Sequence, residues 1–274
     1  MAIKLIALDM DGTTLNDEHK ISDENRSAIN AALVQGIVVT VCTGRSNTEL
    51  PPIIKLLPEL RYFINGNGCK IYDKTLNKTI LSDPLSFSAA NTIYRIVREY
   101  PVMIEVYTND QIYTSQSCYE HVYKYVPEKF AQLILDTRTP LENLKALFRA
   151  DWQKPIYKMN IFYNNADNFE AIHAKCKNLP AAMTGSTEAN LEFNSPTASK
   201  GNSLAKLAKT LHLHSSEVMA IGDGSNDISM LEYAGCSVAM ENAFLSVKEK
   251  ALYQTLNNNE HGVAAAIKKY ALNL

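Results

Sequence analysis

The fold class is decided by the N-terminal stretch Ile3-Lys4-Leu5-Ile6-Ala7-Leu8-Asp9-Met10-Asp11-Gly12-Thr13. Its largely apolar beginning predicts a buried strand, which ends at Asp9 and Asp11, and Gly12 allows a sharp turn. Ligands of open α/β sheets bind at the carboxyl ends of such strands. Two carboxylates this close repel each other unless they are exposed, protonated or bridged by a cation, and a hard divalent ion such as Mg²⁺ is the natural bridge. One carboxylate would then attack phosphorus while the other handles protons.

Length and composition set the broad class of the protein. A chain of 274 residues with 46% hydrophobic and 20% charged residues is long enough for two domains with full cores. The net charge of −2 provides no basic surface, so we expect no nucleic-acid partner. No apolar stretch reaches membrane-spanning length, so we expect no membrane contact and a soluble, cytoplasmic protein.

The cysteines give no sign of a disulfide framework. The five of them are scattered along the chain, at Cys42, Cys69, Cys118, Cys176 and Cys236. Because no Cys-x-x-Cys pair occurs, a zinc site is not expected either. We expect small buried side chains in a reducing cytosol.

The pattern after the first strand predicts alternating helices and strands. Ser22 is a candidate N-cap for a helix with a stop signal at Gly36. The β-branched run Ile37 to Cys42 is typical of a central parallel strand, and a helix ending near Leu57 precedes a short strand at Tyr62 to Ile64. This order implies right-handed βαβ units and a parallel sheet.

The pattern changes at the turn signal Asp83-Pro84. Helices and strands then follow to about residue 190, with a predicted hairpin within 102–114. Thr139-Pro140-Leu141-Glu142 has the pattern of a helix capping box, and residues 157–163 alternate like a half-exposed strand. This mixture predicts an α+β insert.

Parallel α/β signals return after the insert. Lys200 to Leu211 predicts an amphipathic helix, and a short buried strand at Val218 to Ile221 leads into the polar loop Gly222–Asp227. We therefore predict an α/β protein with a Rossmann-like parallel-sheet core, built from residues 1–84 and 191–274, and an inserted α+β cap of residues 85–190.

Four loops that follow strands or open helices carry the polar groups of interest. They are Asp9–Thr13, Thr43–Arg45, Lys200–Gly201 and Gly222–Asp227. If the strands are parallel neighbours, these loops share one sheet edge. They combine a carboxylate nucleophile, hydroxyl and backbone donors, a lysine and acids for a metal. Phosphoryl transfer needs this set, since positioning and electrostatic stabilisation carry most of its rate.

In order along the chain, these loops resemble the four motifs of the haloacid dehalogenase superfamily. The matching residues are Asp9-x-Asp11-Gly12-Thr13, Thr43-Gly44-Arg45, Lys200-Gly201 and Gly222-Asp223-Gly224-x-Asn226-Asp227. The insert between the second and third motifs is similar to the C2 cap of the Cof-type branch, which includes bacterial sugar-phosphate phosphatases. The resemblance implies Mg²⁺-dependent hydrolysis of small phosphomonoesters, with sugar phosphates as the expected substrates, through an aspartyl-phosphate intermediate.

The resemblance also implies a role for each motif residue. Asp9 is the expected nucleophile, and Asp11 is the expected general acid and base. Phosphate or substrate binding is expected of Met10, Thr43, Gly44, Arg45, Asn67, Lys200 and Asn226. Metal binding is expected of Asp9, Asp11 (through its backbone carbonyl), Asp223 and Asp227.

Some alternatives stay open in the sequence. The chain could be a phosphomutase of hexose phosphates, or a non-catalytic regulatory module that binds phosphate. Arg45 either reaches the pocket or forms a structural ion pair, and His261, where family members commonly carry an acid, has no assigned role. The expected partner is a small phosphorylated metabolite, and a homo-oligomer is possible. Substrate selection is expected of the cap, in its hairpin and near 115–125 and 183–190.

Overall fold

The computed structural model describes residues 2–109, 111–163, 165–184 and 190–274 of the chain. The chain divides into two compact units, each with its own sheet. The first unit comprises Met1–Arg45, Pro52–Ser82 and Ser199–Leu274, and the second comprises Ser46–Pro51 and Asp83–Ala198.

Strands and helices are numbered along the chain. The strands are β1 (Leu5–Leu8), β2 (Val38–Cys42), β3 (Tyr62–Asn65), β4 (Lys70–Asp73), β5 (Lys78–Ser82), β6 (Met103–Tyr107), β7 (Ile112–Ser115), β8 (Arg138–Leu141), β9 (Lys158–Phe162), β10 (Ala182–Thr184), β11 (Asn190–Asn194), β12 (Val218–Gly222), β13 (Cys236–Ala239) and β14 (Tyr253–Gln254). The α-helices are α1 (Asp23–Val34), α2 (Leu50–Leu56), α3 (Phe87–Val97), α4 (Gln116–Glu120), α5 (Glu128–Thr137), α6 (Ala166–Cys176), α7 (Lys200–Thr210), α8 (Ile228–Tyr233), α9 (Leu245–Lys248) and α10 (Gly262–Ala266). A π-helix, Ile267–Leu272, continues α10.

The first unit is built on the predicted parallel sheet. Its strand order is β14-β13-β12-β1-β2-β3-β4-β5, and every pairing from β14 to β3 is parallel. All residues of β1 are buried, because helices cover both faces of such a sheet and apolar side chains must fill both. The prediction of an α/β fold with a parallel-sheet core is confirmed.

The first helix shows how local sequence sets an element of this unit. The Ser22 side chain accepts the backbone N–H of Asn25 at 3.2 Å and caps α1, as predicted. After the helix, Gly36 adopts a φ of +80°, a left-handed conformation that glycine reaches without strain. The chain then enters β2 in the register Leu5 to Val38 beside β1.

The strands β4 and β5 were not predicted from the sequence. Both strands pair antiparallel and extend the sheet beyond β3. β5 lies at the edge of the sheet, and its residues alternate between exposed and half-buried positions. Only two of its five residues, Ile80 and Leu81, are apolar, so it lacks the continuous apolar run that marks the central strands.

The second unit is an α+β structure around a sheet of order β10-β11-β9-β6-β7-β8. The predicted hairpin corresponds to the antiparallel pair β6 and β7. One face of the sheet packs on an apolar core with residues from α3 and α6. Members of this core on the sheet are Ile104, Val106, Met159, Ile161, Leu191 and Phe193.

Two local predictions in this unit are wrong. The segment Thr139-Pro140-Leu141-Glu142 does not begin a helix, because β8 pairs in parallel with β7 there and strand pairing outweighs the local capping pattern. A 3-10 helix, Leu144–Phe148, follows instead, with Asn143 as its N-cap. The strand predicted as half-exposed, β9, is buried at all of its residues, since its polar side chains lie in a buried polar layer.

This buried polar layer lies on the other face of the second sheet, next to an apolar cluster that includes Met103 and Phe162. Its members are Glu105, Tyr107, Arg138, Lys158, Asn160, Asn190 and Glu192, all of them buried. Arg138 donates to Glu105 and to Glu49, each at 2.7 Å, and Lys158 lies 3.1 Å from Glu192. A buried polar group without a partner is costly, so a connected network is the arrangement that such a face requires.

The two units do not follow the simple segments 1–84, 85–190 and 191–274. β11 spans the predicted boundary at 190/191 and pairs with β9 in the second sheet. The short segment Ser46–Pro51 also groups with the second unit, in which Glu49 is the ion-pair partner of Arg138. No helix in the described part of the chain is long and apolar enough to cross a membrane.

Candidate active site

The parallel order of the first sheet brings the motif loops to one edge. Asp9 follows β1, Thr43 follows β2 and Asp223 follows β12, and these strands are neighbours. Lys200 is the first residue of α7, whose N-cap Ser199 accepts the N–H of Asn202 at 3.0 Å. The predicted convergence of these loops is therefore a property of the sheet order.

Lys200 joins two buried carboxylates. Its Nζ lies 2.6 Å from Oδ1 of Asp9 and 2.5 Å from Oδ1 of Asp227. Burial raises the pKa of Asp9 well above its usual value; Asp227 adds to this shift and Lys200 opposes it. Burial would lower the pKa of Lys200, but the two carboxylates raise it above its usual value. The lysine therefore stays charged at a helix start, where the helix dipole alone would disfavour it.

Asp223 is held by the turn that follows β1. Its Oδ1 accepts the Thr13 hydroxyl at 2.6 Å. Burial raises the pKa of Asp223 to about 6, while the Thr13 hydrogen bond opposes the shift and Asp227 adds to it. Gly12 has a φ of +83°, and a Cβ at this position would overlap the Asp223 carboxylate. Glycine is thus required here both for the left-handed turn and for the close approach of Asp223.

Asp227 organises its own loop as well as contacting Lys200. Its Oδ2 accepts the backbone N–H groups of Asp223 at 3.0 Å and of Gly224 at 2.9 Å. Oδ1 is held by Lys200, so both oxygens already have partners inside the protein. Such a carboxylate is fixed in place before any ligand arrives.

Asp9, Asp223 and Asp227 form a group that could hold a metal ion. One oxygen of each lies within 4.8 Å of the others. Three carboxylates supply the hard oxygen ligands that divalent cations such as Mg²⁺ prefer. The donor set therefore fits a divalent metal.

Asp11 and Arg45 pair with each other instead of joining this group. The Asp11 carboxylate accepts Nε of Arg45 at 2.9 Å and Nη2 at 2.6 Å. The Asp11 side chain is about half exposed, and among the described residues the three-carboxylate group does not include it. In this structure Arg45 thus makes an ion pair, one of the two arrangements left open by the sequence.

The loop after β2 is tied to the loop after β3. Asn67 donates its backbone N–H to the Thr43 carbonyl at 3.1 Å, and Gly66 donates to the Arg45 carbonyl at 2.8 Å. The Thr43 hydroxyl accepts the Arg45 N–H at 3.1 Å, which leaves its proton available for a ligand oxygen. The Asn226 side chain donates to the Asn67 side chain at 3.0 Å, so Asn226 reaches the same loops.

The remaining candidates lie in different environments. The Met10 side chain is completely buried, so only its backbone is suited to contact a substrate. His261 has a φ of +61° and lies 3.4 Å from Glu24. In the second unit, the Tyr119 hydroxyl donates to the Leu135 carbonyl at 2.7 Å, a packing role. Of the loop named near 183–190, residues 185–189 lie outside the described residues.

Two polar contributions were missed by reasoning from the sequence. Thr13 was quoted as part of a motif but was given no role, although it positions Asp223. A hydroxyl directly after the turn glycine was the available signal. The network around Arg138 had no signal, because its members are spread over residues 49 to 192 and only the fold brings them together.

Taken together, a parallel α/β core with a buried lysine and clustered carboxylates at its strand ends is the architecture of a phosphoryl-transfer enzyme. The model of the haloacid dehalogenase-like hydrolase family matches residues 6–267. The chain therefore belongs to the haloacid dehalogenase-like hydrolase family, and the predicted membership is confirmed.

Several similar proteins, matched over nearly their full length, are named phosphatases. The chain is 33% identical to the phosphatase YwpJ of Bacillus subtilis, with 97% of this chain and 99% of that protein covered. It is 31% identical to the 5-amino-6-(5-phospho-D-ribitylamino)uracil phosphatase YwtE of the same organism, with 96% of both covered. A solved haloacid dehalogenase-like hydrolase from B. subtilis superposes with a TM-score of 0.86 at 31% identity, covering 97% of this chain and 99% of that one. The protein is accordingly an enzyme of the phosphatase class.

Proposed function

We propose that the protein hydrolyses small phosphorylated metabolites, with sugar phosphates and related polyol phosphates as substrates. The observation that supports this most directly is Asp9, buried at the end of β1 with Oδ1 fixed by Lys200 at 2.6 Å. Oδ2 of Asp9 is then the oxygen that can attack phosphorus. A nucleophile held in one geometry lowers the entropic cost of the attack.

Catalysis has two displacement steps at phosphorus. In the first, a bond forms between Asp9 and phosphorus while the bond to the leaving oxygen breaks, and the Asp11 carboxylic acid gives its proton to that oxygen. In the second, water attacks phosphorus and gives a proton to the Asp11 carboxylate, and the bond from phosphorus to Asp9 breaks. Because Asp11 is paired with Arg45 in this structure, its side chain has to turn away from Arg45 to serve in these steps.

Charge neutralisation falls to Lys200 and a divalent metal, which we propose to be Mg²⁺. Lys200 compensates the negative charges of Asp9 and Asp227. The side chains of Asp9 and Asp223 are proposed to bind the metal. The Asp11 carbonyl, and Asp227 directly or through water, are proposed as the further ligands. When bound, the ion offsets the negative charge that builds up on the phosphoryl oxygens. Thr43, Gly44 and Asn226 are proposed to donate hydrogen bonds to these oxygens, and the backbone at Met10 is proposed to contact them.

Two observations support the proposed substrate class: the name of one relative and the presence of the second unit. YwtE is named for a substrate with a phosphorylated ribityl chain, a sugar alcohol. We propose that the second unit is a C2-type cap domain and that the first unit is the catalytic core; their separate sheets support this division. A cytoplasmic location is proposed from the five cysteines, which are all free thiols.

Phosphate release from a panel of phosphomonoesters tests the proposed function. The panel contains hexose phosphates, pentose phosphates, ribitol 5-phosphate, phosphoserine and p-nitrophenyl phosphate. We expect release in Mg²⁺ that stops in excess EDTA, with the highest kcat/KM on sugar or polyol phosphates. Absence of release from every compound would refute the hydrolase proposal, and transfer between two positions of a hexose phosphate would favour a mutase.

A stability measurement tests the metal site without using activity. A ligand that binds only the folded state stabilises it by about 2.7 kcal/mol at a hundred times its Kd. We therefore expect the Tm of the metal-free protein to rise with the logarithm of the Mg²⁺ concentration, and Asp223→Asn to abolish most of this rise. Asp23→Asn, an exposed aspartate at the start of α1, is the matched control and should retain it. An equal rise in Asp223→Asn and in the wild type would place the metal elsewhere.

A further inference from the structure

Asn67 lies in an unusual backbone conformation next to the site. It follows β3 with a φ of +56°, and only 5% of the residue is exposed. Few non-glycine residues adopt the left-handed region, and asparagine is among those that do so most readily. A buried asparagine in this conformation calls for a reason, since glycine would enter the turn with less strain and no polar group to satisfy.

The side chain of Asn67 supplies that reason, because it holds the Asn226 amide. Nδ2 of Asn226 donates to Oδ1 of Asn67 at 3.0 Å. An amide nitrogen carries two protons, and within the described residues the second has no acceptor. Fixing the first proton therefore fixes the direction of the second, which is left for a ligand oxygen.

Gly44 shows how closely this amide pair is packed. A Cβ at Gly44 would lie 2.9 Å from Oδ1 of Asn67 and 3.7 Å from Nδ2 of Asn226. Any other residue at this position would press on the oxygen that receives the Asn226 proton. Three loops, after β2, β3 and β12, thus meet at one hydrogen bond.

The contact gives Oδ1 of Asn67 the role of an acceptor. The Asn67 atom that faces Gly44 and Asn226 is a carbonyl oxygen, which accepts hydrogen bonds and has no proton to offer an anionic phosphoryl group. A donor is what phosphoryl oxygens need, and the Asn226 amide is one.

We propose that Asn67 is a positioning residue, which aims the Asn226 amide at the phosphoryl group of the substrate through the contact between Oδ1 of Asn67 and Nδ2 of Asn226. The proposal rests on the proposed phosphatase function and adds to it. Under the family resemblance alone, Asn67 would bind substrate by itself.

A double-mutant cycle tests this role. Asn67→Gly keeps the left-handed turn and removes the acceptor oxygen; Asn226→Ala removes the donor. Losing an oriented hydrogen bond to a charged group weakens binding by about ten- to a hundredfold. We therefore expect Asn67→Gly to raise the Ki of inorganic phosphate, and to lower kcat/KM, within this range. The double variant should be no worse than Asn226→Ala alone.

Asn77→Gly is the matched control. Asn77 lies in the turn between β4 and β5, also has a positive φ (+47°), and also accepts a side-chain hydrogen bond, from the Tyr72 hydroxyl at 2.8 Å. We expect its Ki for phosphate and its kcat/KM to equal those of the wild type. A comparable loss in this control would show that removing any left-handed asparagine disturbs the unit, and it would overturn the assignment.

Gly44→Ala gives a second, steric test. Its Cβ presses on Oδ1 of Asn67, so the variant should weaken phosphate binding in the wild-type background and cost less in the Asn67→Gly background, where that oxygen is gone. The proposal is refuted if, in variants with wild-type melting curves, the loss in each double variant equals the product of the losses in its two single variants. Such a result would show that Asn67 acts on the substrate independently. An inactive wild type would instead refute the proposed function, so the two failures are distinguishable.

Discussion

Asp9→Asn is expected to reduce turnover by on the order of 10⁴-fold or more, because the amide cannot act as the nucleophile that forms the phosphoryl bond. The fold should be retained. Burial and Asp227 already raise the pKa of Asp9 and so disfavour its charged form, and an amide of the same shape carries no charge to bury. We therefore expect a Tm equal to or above that of the wild type. Phosphate release under saturating substrate, together with a melting curve, checks both expectations.

The matched control for this variant is Asp23→Asn. Asp23 is exposed in the first turn of α1, so the substitution makes the same chemical change in the same unit away from the motif loops. Its turnover should equal that of the wild type. Turnover by Asp9→Asn above a tenth of the wild-type rate would exclude Asp9 as the nucleophile. Rapid transfer of a phosphoryl group from a phosphomonoester to wild-type Asp9, without later release of inorganic phosphate, would favour the regulatory-module alternative.

Arg138→Met is expected to cost the second unit about 3 to 5 kcal/mol of unfolding free energy, because it leaves two buried carboxylates without their cation. Glu49 and Glu105 each receive a hydrogen bond from Arg138 at 2.7 Å. Burial would raise the pKa of Glu49, but Arg138 and then Lys158 lower it below its usual value, so the charged form depends on these cations. Trp152, the single tryptophan, packs on the core of this unit, and its fluorescence during urea unfolding gives the measurement.

Arg149→Met is the control for the loss of an arginine. Arg149 pairs with Asp151 at 3.1 Å, but both side chains are largely exposed, and such pairs contribute within about 0.5 kcal/mol. The triple variant Arg138→Met, Glu49→Gln, Glu105→Gln should recover part of the loss, since no unpaired charge then stays buried. Equal midpoints for Arg138→Met and Arg149→Met would show that the buried network does not stabilise the unit.

Much of the first unit could be predicted because its signals are local. Ser22 and Gly36 bound α1, and the β-branched run before Thr43 is a fully buried strand apart from its first residue. The arrangement of Asp9 and Asp223 also followed from sequence order, because parallel strands place their carboxyl ends on one edge. The pairing of Asp11 with Arg45 did not follow, since it depends on side-chain rotamers chosen among several charged neighbours.

The second unit shows where local signals fail. Thr139-Pro140 fits a helix start, yet the segment forms β8 and pairs with β7. The backbone hydrogen bonds formed along β7 stabilise the segment more than one capped helical turn would. The alternation in β9 was present in the sequence, but burial of its polar side was not. A polar residue is normally evidence of exposure, and only partners brought from distant positions make its burial tolerable.

The sequence by itself determined the family, the parallel α/β core and the residues that could carry the chemistry, because short motifs at strand ends and periodic apolar runs are encoded locally. Tertiary structure alone decided which of those residues share a hydrogen bond: Lys200 with Asp9 and Asp227, Arg45 with Asp11, and Asn226 with Asn67. The physical reason is the distance along the chain over which each kind of signal acts. Apolar periodicity acts over a few neighbouring residues, whereas each of these contacts joins side chains 27 to 191 positions apart, which only the folded chain brings within 3 Å.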